Sequence, residues 1–283
     1  MSRLFMFLSL ISLSFNLSAH SFLEGNGPKL PIGVESNVSK NDFNLLLDKL
    51  EKLYKKEARK MGKRLSISGK YNSNIVNAYA LQVYPGTMTV RVLGGIVRHP
   101  LMTYDGLALV VCHEIGHHMG GAPRKWERMN KWASDEGQSD YFAPLQCLRR
   151  LWKNDNNEAI INQRKEKISE THSQCIQSYS DAKEIALCER TLYAALDVTK
   201  LVAAARHEDE SPNLGTFDPK VVEKTNQEHP GSQCRLDTML AGTLCTKSPE
   251  VFDGVNAEKG VCSELSGDII GTRPHCWYAP IKE

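Results

Sequence analysis

Val110 to Gly121 reads V-V-C-H-E-I-G-H-H-M-G-G and contains His113-Glu114-Ile115-Gly116-His117, an H-E-x-x-H pattern. On an α-helix, positions i and i+4 lie on one face, a single turn apart. Two imidazoles so placed can grip one Zn²⁺, and the Glu between them reaches a metal-bound water as general base. The apolar run Leu107-Ala108-Leu109-Val110-Val111 leads into the motif, as expected of a helix buried to hold a rigid site. Asp105 is the expected N-cap, and the Gly120-Gly121 pair the expected stop.

A third ligand gives the motif its meaning. A metzincin would carry His at position 123, but Pro123 stands there, so that class is excluded. Glu136 follows His117 by nineteen residues, in A-S-D-E-G-Q-S-D-Y-F-A, with Asp140 one turn further on. A carboxylate ligand at Glu136, and at Asp140 a carboxylate that orients a ligating His, make a chemically sensible pair.

Length and charge bound the alternatives. A chain of 283 residues holds one large domain or two small ones, and 41% hydrophobic content allows a sizeable core. With 35 basic and 33 acidic residues the net charge is +2, which gives no case for nucleic acid or an anionic membrane as partner. Met1-Ser2-Arg3, the Ser-broken apolar run Leu4 to Leu17 and the small Ala19 read as a cleaved signal peptide, residues 1–19, leaving His20 at the new N-terminus. The run is shorter than the ~20 apolar residues of a membrane span, and no Cys follows it to carry a lipid. A secreted or periplasmic protein, with no stable membrane insertion after cleavage, is expected. The eight cysteines are then expected to form disulfides, in a pairing that sequence does not choose. Cys112, beside His113, reads equally well as a buried free thiol.

Along the chain, Asp42 to Arg59 has a helical apolar period. Ile75–Tyr84 and Thr87–Leu93 read as a hairpin about Pro85-Gly86. Trp132 to Trp152 is expected as one helix carrying Glu136, followed by helices over Glu158–Ser178 and Asp181–Arg206. Cys175 and Cys188 then face each other across a helical hairpin, where a bridge is geometrically reasonable. His99, His172 and His207 read as structural or surface residues. From Ser211 the composition turns to Pro, Gly, Asp and Thr, a loop-rich tail.

Three islands together resemble the HtpX and CAAX-prenyl-protease type of zinc metallopeptidase, peptidase family M-forty-eight within the gluzincins. They are His113-Glu114-x-x-His117, the Glu136-x-x-x-Asp140 pair, and Asn77-Ala78-Tyr79-Ala80 ahead of Thr89-Val90-Arg91-Val92-Leu93. His229-Pro230, with Arg235 six residues after the His, matches a further motif, with Glu228 where Thr is usual. The short interval between His117 and Glu136 is that of other gluzincins, and the family's multi-span membrane helices are missing, as in an exported soluble branch. The resemblance implies that His229 stabilises the oxyanion or occupies the open zinc position. It implies that Arg235 is a structural or substrate-positioning partner, and that Asn77–Ala80 is the edge on which a peptide substrate adds as a strand.

The expected fold is α+β: a mostly helical zincin-like core (residues 20–245) with a small sheet, and a disulfide-stapled C-terminal extension (246–283) packed on it. The expected activity is zinc-dependent hydrolysis of a protein or peptide substrate, with His113, His117 and Glu136 on Zn²⁺ and Glu114 as base. The rival expectations are a non-catalytic chaperone-like or regulatory protein on the same scaffold, and a zinc hydrolase of cell-wall peptides.

Overall fold

In the computed structural model, the described residues are 18–31, 33–84, 86–125, 131–250 and 255–280. Most of the expected signal peptide and Pro85 of the expected hairpin turn lie outside them.

The long helix α1 (Lys40–Lys60) starts where Ser39 accepts a hydrogen bond from the Asp42 amide, and it buries Phe43, Leu46, Leu47, Leu50, Tyr54 and Ala58 along one stripe. Four strands form: β1 (Ser18–Ser21), β2 (Arg64–Lys70), β3 (Ala78–Gln82) and β4 (Thr87–Leu93). They form one sheet in the order β1-β3-β4-β2. β3 and β4 are the expected antiparallel hairpin, and β2 runs parallel to β4 on its other side. β1 lies antiparallel on the outer edge of β3, with His20 opposite Ala80 and Ser21 opposite Tyr79.

A short helix α2 (Gly94–Arg98) turns the chain into α3 (Tyr104–Met119), which carries the H-E-x-x-H motif. Every residue of α3 from Gly106 to Met119 is buried, so this is a core helix wrapped on all sides. Its N-cap is Thr103, not Asp105: the Thr103 hydroxyl accepts from the Gly106 amide, while Asp105 is drawn into two hydrogen bonds with Arg190 at 2.7 and 3.0 Å. Gly120 caps the C-terminus, and Gly121, at φ 82°, takes the left-handed turn out of it.

The expected single helix over Trp132–Trp152 is corrected. The chain runs extended to Asp135, then forms α4 (Glu136–Phe142), a π-helical stretch (Ala143–Leu148) and α5 (Arg149–Trp152). Backbone bonds from the Ser134 amide to the His117 carbonyl and from the Asp135 amide to the Pro123 carbonyl hold the extended part against the end of α3. Likewise Glu158–Ser178 divides into α6 (Asn157–Asn162) and α7 (Ser169–Cys175), ahead of α8 (Ala182–Ala205) and α9 (Ser232–Leu244).

Four disulfides join Cys112 to Cys147, Cys175 to Cys188, Cys234 to Cys276 and Cys245 to Cys262. The expected α7–α8 bridge is present, and Cys112 is not a free thiol: it ties α3 to the π-helical stretch. The last two bridges fasten the loop-rich tail to α9. Among the described residues no helix is long and apolar enough to cross a membrane.

Candidate metal centre

α3 and α4 cross at Gly116. A Cβ there would meet the Ser139 Cα at 3.0 Å and the Phe142 ring at 3.1 Å, so a larger residue would press the two helices apart by a few tenths of an ångström. The crossing sets Glu136, at the start of α4, opposite His113 and His117. All three side chains are buried, the two imidazoles completely.

Each imidazole is fixed by its Nδ1. His113 Nδ1 donates to Asp140 Oδ1 at 2.8 Å, and His117 Nδ1 donates to the Ser134 carbonyl at 2.9 Å. A carboxylate or carbonyl can only accept, so a hydrogen sits on each Nδ1, and in the neutral ring Nε2 is the nitrogen that presents a lone pair. The two Nε2 atoms lie 3.3 and 3.5 Å from Glu136 Oε2. None of these three buried atoms has a hydrogen-bond partner. Lone pairs converging in a space that excludes water are unfavourable unless a cation stands among them. Atoms 2.0–2.1 Å from one tetrahedral centre are roughly 3.3–3.4 Å apart, close to the separations found here. The residues fit a zinc-like cation.

The electrostatics agree. Burial pushes the Glu136 carboxyl up, but the facing imidazoles of His117, His229 and His113 hold it well below its usual range. Burial likewise opposes ionisation of Asp140, and Arg235 with His113 overcomes it. Arg235, fully buried, donates to Asp140 from Nε at 2.7 Å and Nη2 at 2.8 Å, and from Nη1 to the Phe22 carbonyl at 3.0 Å. Its guanidinium also stacks 4.4 Å from the Phe22 ring. A chain of contacts therefore runs from the N-terminal segment through Arg235 and Asp140 to His113.

Glu114 is completely buried, with neither carboxylate oxygen hydrogen-bonded, and burial pushes its carboxyl up to about 8. His118, the next residue after His117, faces away: Nε2 donates to the Thr89 carbonyl at 3.2 Å and the ring lies 5.0 Å from Trp132. His229 comes from the loop before α9. Its Nε2 is 3.4 Å from Glu136 Oε2 and donates to the Ser21 carbonyl at 2.7 Å. The nitrogen nearest the cluster therefore carries a hydrogen, which makes His229 a donor rather than a ligand in this arrangement. A cavity of about 390 Å³, bordered by Phe22, Glu24, Arg206, His229 and Arg235, opens on this side.

Asn77 to Ala80 run beside the cluster, but the chain's own N-terminal segment takes up what they offer. Asn77 is buried: Oδ1 accepts from the Leu23 amide at 3.0 Å, and Nδ2 donates to the Leu23 carbonyl at 3.1 Å. The edges of Ala78, Tyr79 and Ala80 pair with Phe22, Ser21 and His20. The same segment supplies the residue that sequence reasoning missed. His20 is buried at 4% exposure, with Nδ1 3.5 Å from Glu136 Oε1 and its ring 4.7 Å from that of His117. One potential donor atom from each of His20, His117 and Glu136 lies within 4.8 Å of the other two. No motif marks His20; the one signal was its place directly after the expected cleavage point.

No family model matches this chain, and neither the curated proteins nor the solved structures contain a match to it.

Proposed function

We propose that this chain is an exported zinc-dependent endopeptidase, with His113, His117 and Glu136 as metal ligands. The observation that carries the reading is a trio of buried, unpartnered atoms, Glu136 Oε2 and the Nε2 nitrogens of His113 and His117, each within 3.5 Å of it. Bound zinc supplies Lewis acidity toward a peptide carbonyl and makes water a nucleophile near neutral pH.

The chain's own residues do the rest. Asp140 and the Ser134 carbonyl lock the two imidazoles in the tautomer that offers Nε2. Glu114, held in a dry pocket, takes the proton of the attacking water and delivers it to the leaving amine. Its raised proton affinity suits that exchange, since an effective base has a pKa near the working pH. His229, with its hydrogen on Nε2, is the donor available to a developing oxyanion once the Ser21 carbonyl releases it. Four disulfides belong with an oxidising compartment and support export, with residues 1–19 as the signal peptide.

The test is Glu114→Gln, which keeps shape and removes the base. Zinc content should stay at about one per chain while peptide hydrolysis falls on the order of 10²–10⁴. A wild-type protein that holds zinc and cleaves nothing across a broad peptide library would favour a non-catalytic scaffold instead.

A further inference from the structure

Residues 52–64 hold seven basic side chains and one acidic one, a net charge of +6 in a chain whose total is +2. We propose that this stretch, on the outward face of α1, docks the protein on a bilayer surface rich in anionic headgroups. The proposal is independent of the metal centre.

Helix geometry gathers the charge. At 100° per residue, Lys49, Lys52, Lys55, Lys56 and Arg59 fall within an arc of about 120°. That arc lies opposite the buried stripe of Phe43, Leu46, Leu47, Leu50, Tyr54 and Ala58. All five cations are exposed, and Asp48 is the acid that shares their arc. Lys49 reaches Asp155 at 3.6 Å, but Lys52, Lys55, Lys56 and Arg59 form no ion pair among the described residues. Lys63 and Arg64 carry the charge on into β2.

Folding does not account for this pattern. A solvated helix face gains stability when opposite charges alternate at i and i+4. Here Lys52 and Lys56, Lys55 and Arg59, and Lys56 and Lys60 are like-charged at that spacing, which weakens the helix. The helix dipole favours Arg59 and Lys60 in the last turn, but not Lys49, Lys52 or Lys55 further back. A face that costs its own helix stability is explained by an anionic partner outside the chain.

The apolar neighbours select a bilayer over a soluble polyanion. Leu45, on the same arc, is 56% exposed. Tyr84, 60% exposed, lies in the β3–β4 turn, whose Gly86 carbonyl accepts from the Arg64 amide at 2.9 Å. A polyanion in water gains nothing from an exposed Leu. In a bilayer such side chains, with the Lys and Arg stems, enter the interfacial layer while the charged heads stay at the phosphates. Among the described residues no helix can span the membrane, so the attachment is peripheral.

The experiment sediments the full chain, purified after export, with large unilamellar vesicles of phosphatidylcholine, alone or with phosphatidylglycerol. Binding should require phosphatidylglycerol and should disappear as NaCl is raised to about 0.5 M, where screening shortens the reach of each charge. Each cation near the surface contributes roughly fivefold in affinity. Lys52→Gln, Lys55→Gln, Lys56→Gln and Arg59→Gln combined should therefore weaken partitioning at least about 100-fold. The four side chains are exposed, and circular dichroism with disulfide mapping verifies the fold. Lys29→Gln, Lys165→Gln, Lys220→Gln and Lys224→Gln combined remove the same charge from exposed positions elsewhere and should change binding little. Leu45→Ser with Tyr84→Ser should weaken binding to vesicles and leave capture by heparin, a soluble polyanion, unchanged. Equal binding to both kinds of vesicle, or equal losses in the two fourfold variants, overturns the proposal. Capture by heparin without any vesicle binding assigns the face to a soluble polyanion and overturns the lipid partner.

Discussion

Asp140 is shared between Arg235, which donates to both its oxygens at 2.7 and 2.8 Å, and His113, which donates to Oδ1 at 2.8 Å. The geometry of a proposed ligand thus depends on a guanidinium contributed by α9. Arg235→Lys keeps the charge but loses the planar fork. The expected result is a folded protein whose zinc affinity falls about 10–100-fold, measured by competition with a chelator. Unchanged affinity would make Arg235 a purely structural anchor. Arg235→Ala is less informative, because an unpaired buried Asp140 costs about 3–5 kcal/mol and endangers the fold.

His117 and His118 make a matched pair of probes. His117 Nε2 faces Glu136, while His118 donates to Thr89, and burial drives the His118 imidazole down to about 3, so it stays neutral. His117→Ala should abolish stoichiometric zinc in elemental analysis. His118→Ala should retain it and lose about 1–3 kcal/mol of stability from an orphaned carbonyl and lost packing. Equal metal loss in both variants would refute the ligand assignment.

The disulfides differ in what they support. Cys112 precedes His113 and is bridged to Cys147, whereas Cys175–Cys188 joins α7 to α8 and includes no residue of the metal cluster. Replacing either pair by Ser should cost about 2–5 kcal/mol. Zinc affinity should fall only when Cys112–Cys147 is removed, because that bridge holds α3, which carries the proposed His ligands, against the π-helical stretch. Non-reducing peptide mapping should recover the four pairings; a free Cys112 in exported protein would overturn this account.

Acid should loosen the C-terminal tail. Glu258 accepts hydrogen bonds from Tyr278 at 2.5 Å and Arg273 at 3.0 Å, and from Ser263. Burial opposes its ionisation, but these partners hold the carboxyl below the usual range. Its folded pKa therefore lies below the unfolded one. The stabilisation is complete above the ordinary carboxylate pKa and is lost as pH falls through the folded value. Hydrogen exchange of residues 255–280 should accelerate on acidification in the wild type, and the change should be smaller in Glu258→Gln. Identical acid responses would show that Glu258 does not control the tail.

The elements of the proposed metal site were legible where chemistry and period coincide. His113, His117, Glu136 and Asp140 are spaced by helical turns, and the structure brings all four together. The α+β class and the β3–β4 hairpin followed from alternation and turn residues. What stayed hidden depends on tertiary contacts. The extended run from Trp132 to Asp135 has helix-compatible residues, yet the site needs the Ser134 carbonyl presented to His117, and that overrides local preference. Asp105 has the chemistry of an N-cap but is claimed by Arg190, far along the chain. His20 reaches the cluster only through the pairing of β1 with β3, and strand pairing leaves no periodic trace in a segment of four residues.

Arg235 touches Asp140 and the carbonyl of Phe22, so its contacts unite segments near the beginning, middle and end of the chain. Such contacts of long sequence separation form late, since the intervening loops must close first. A growing polypeptide that has not yet presented α9 lacks the cation that balances Asp140, and cannot hold His113 as the finished molecule does. Whatever chemistry the cluster performs is withheld during synthesis and arrives only when the last third of the protein has been made.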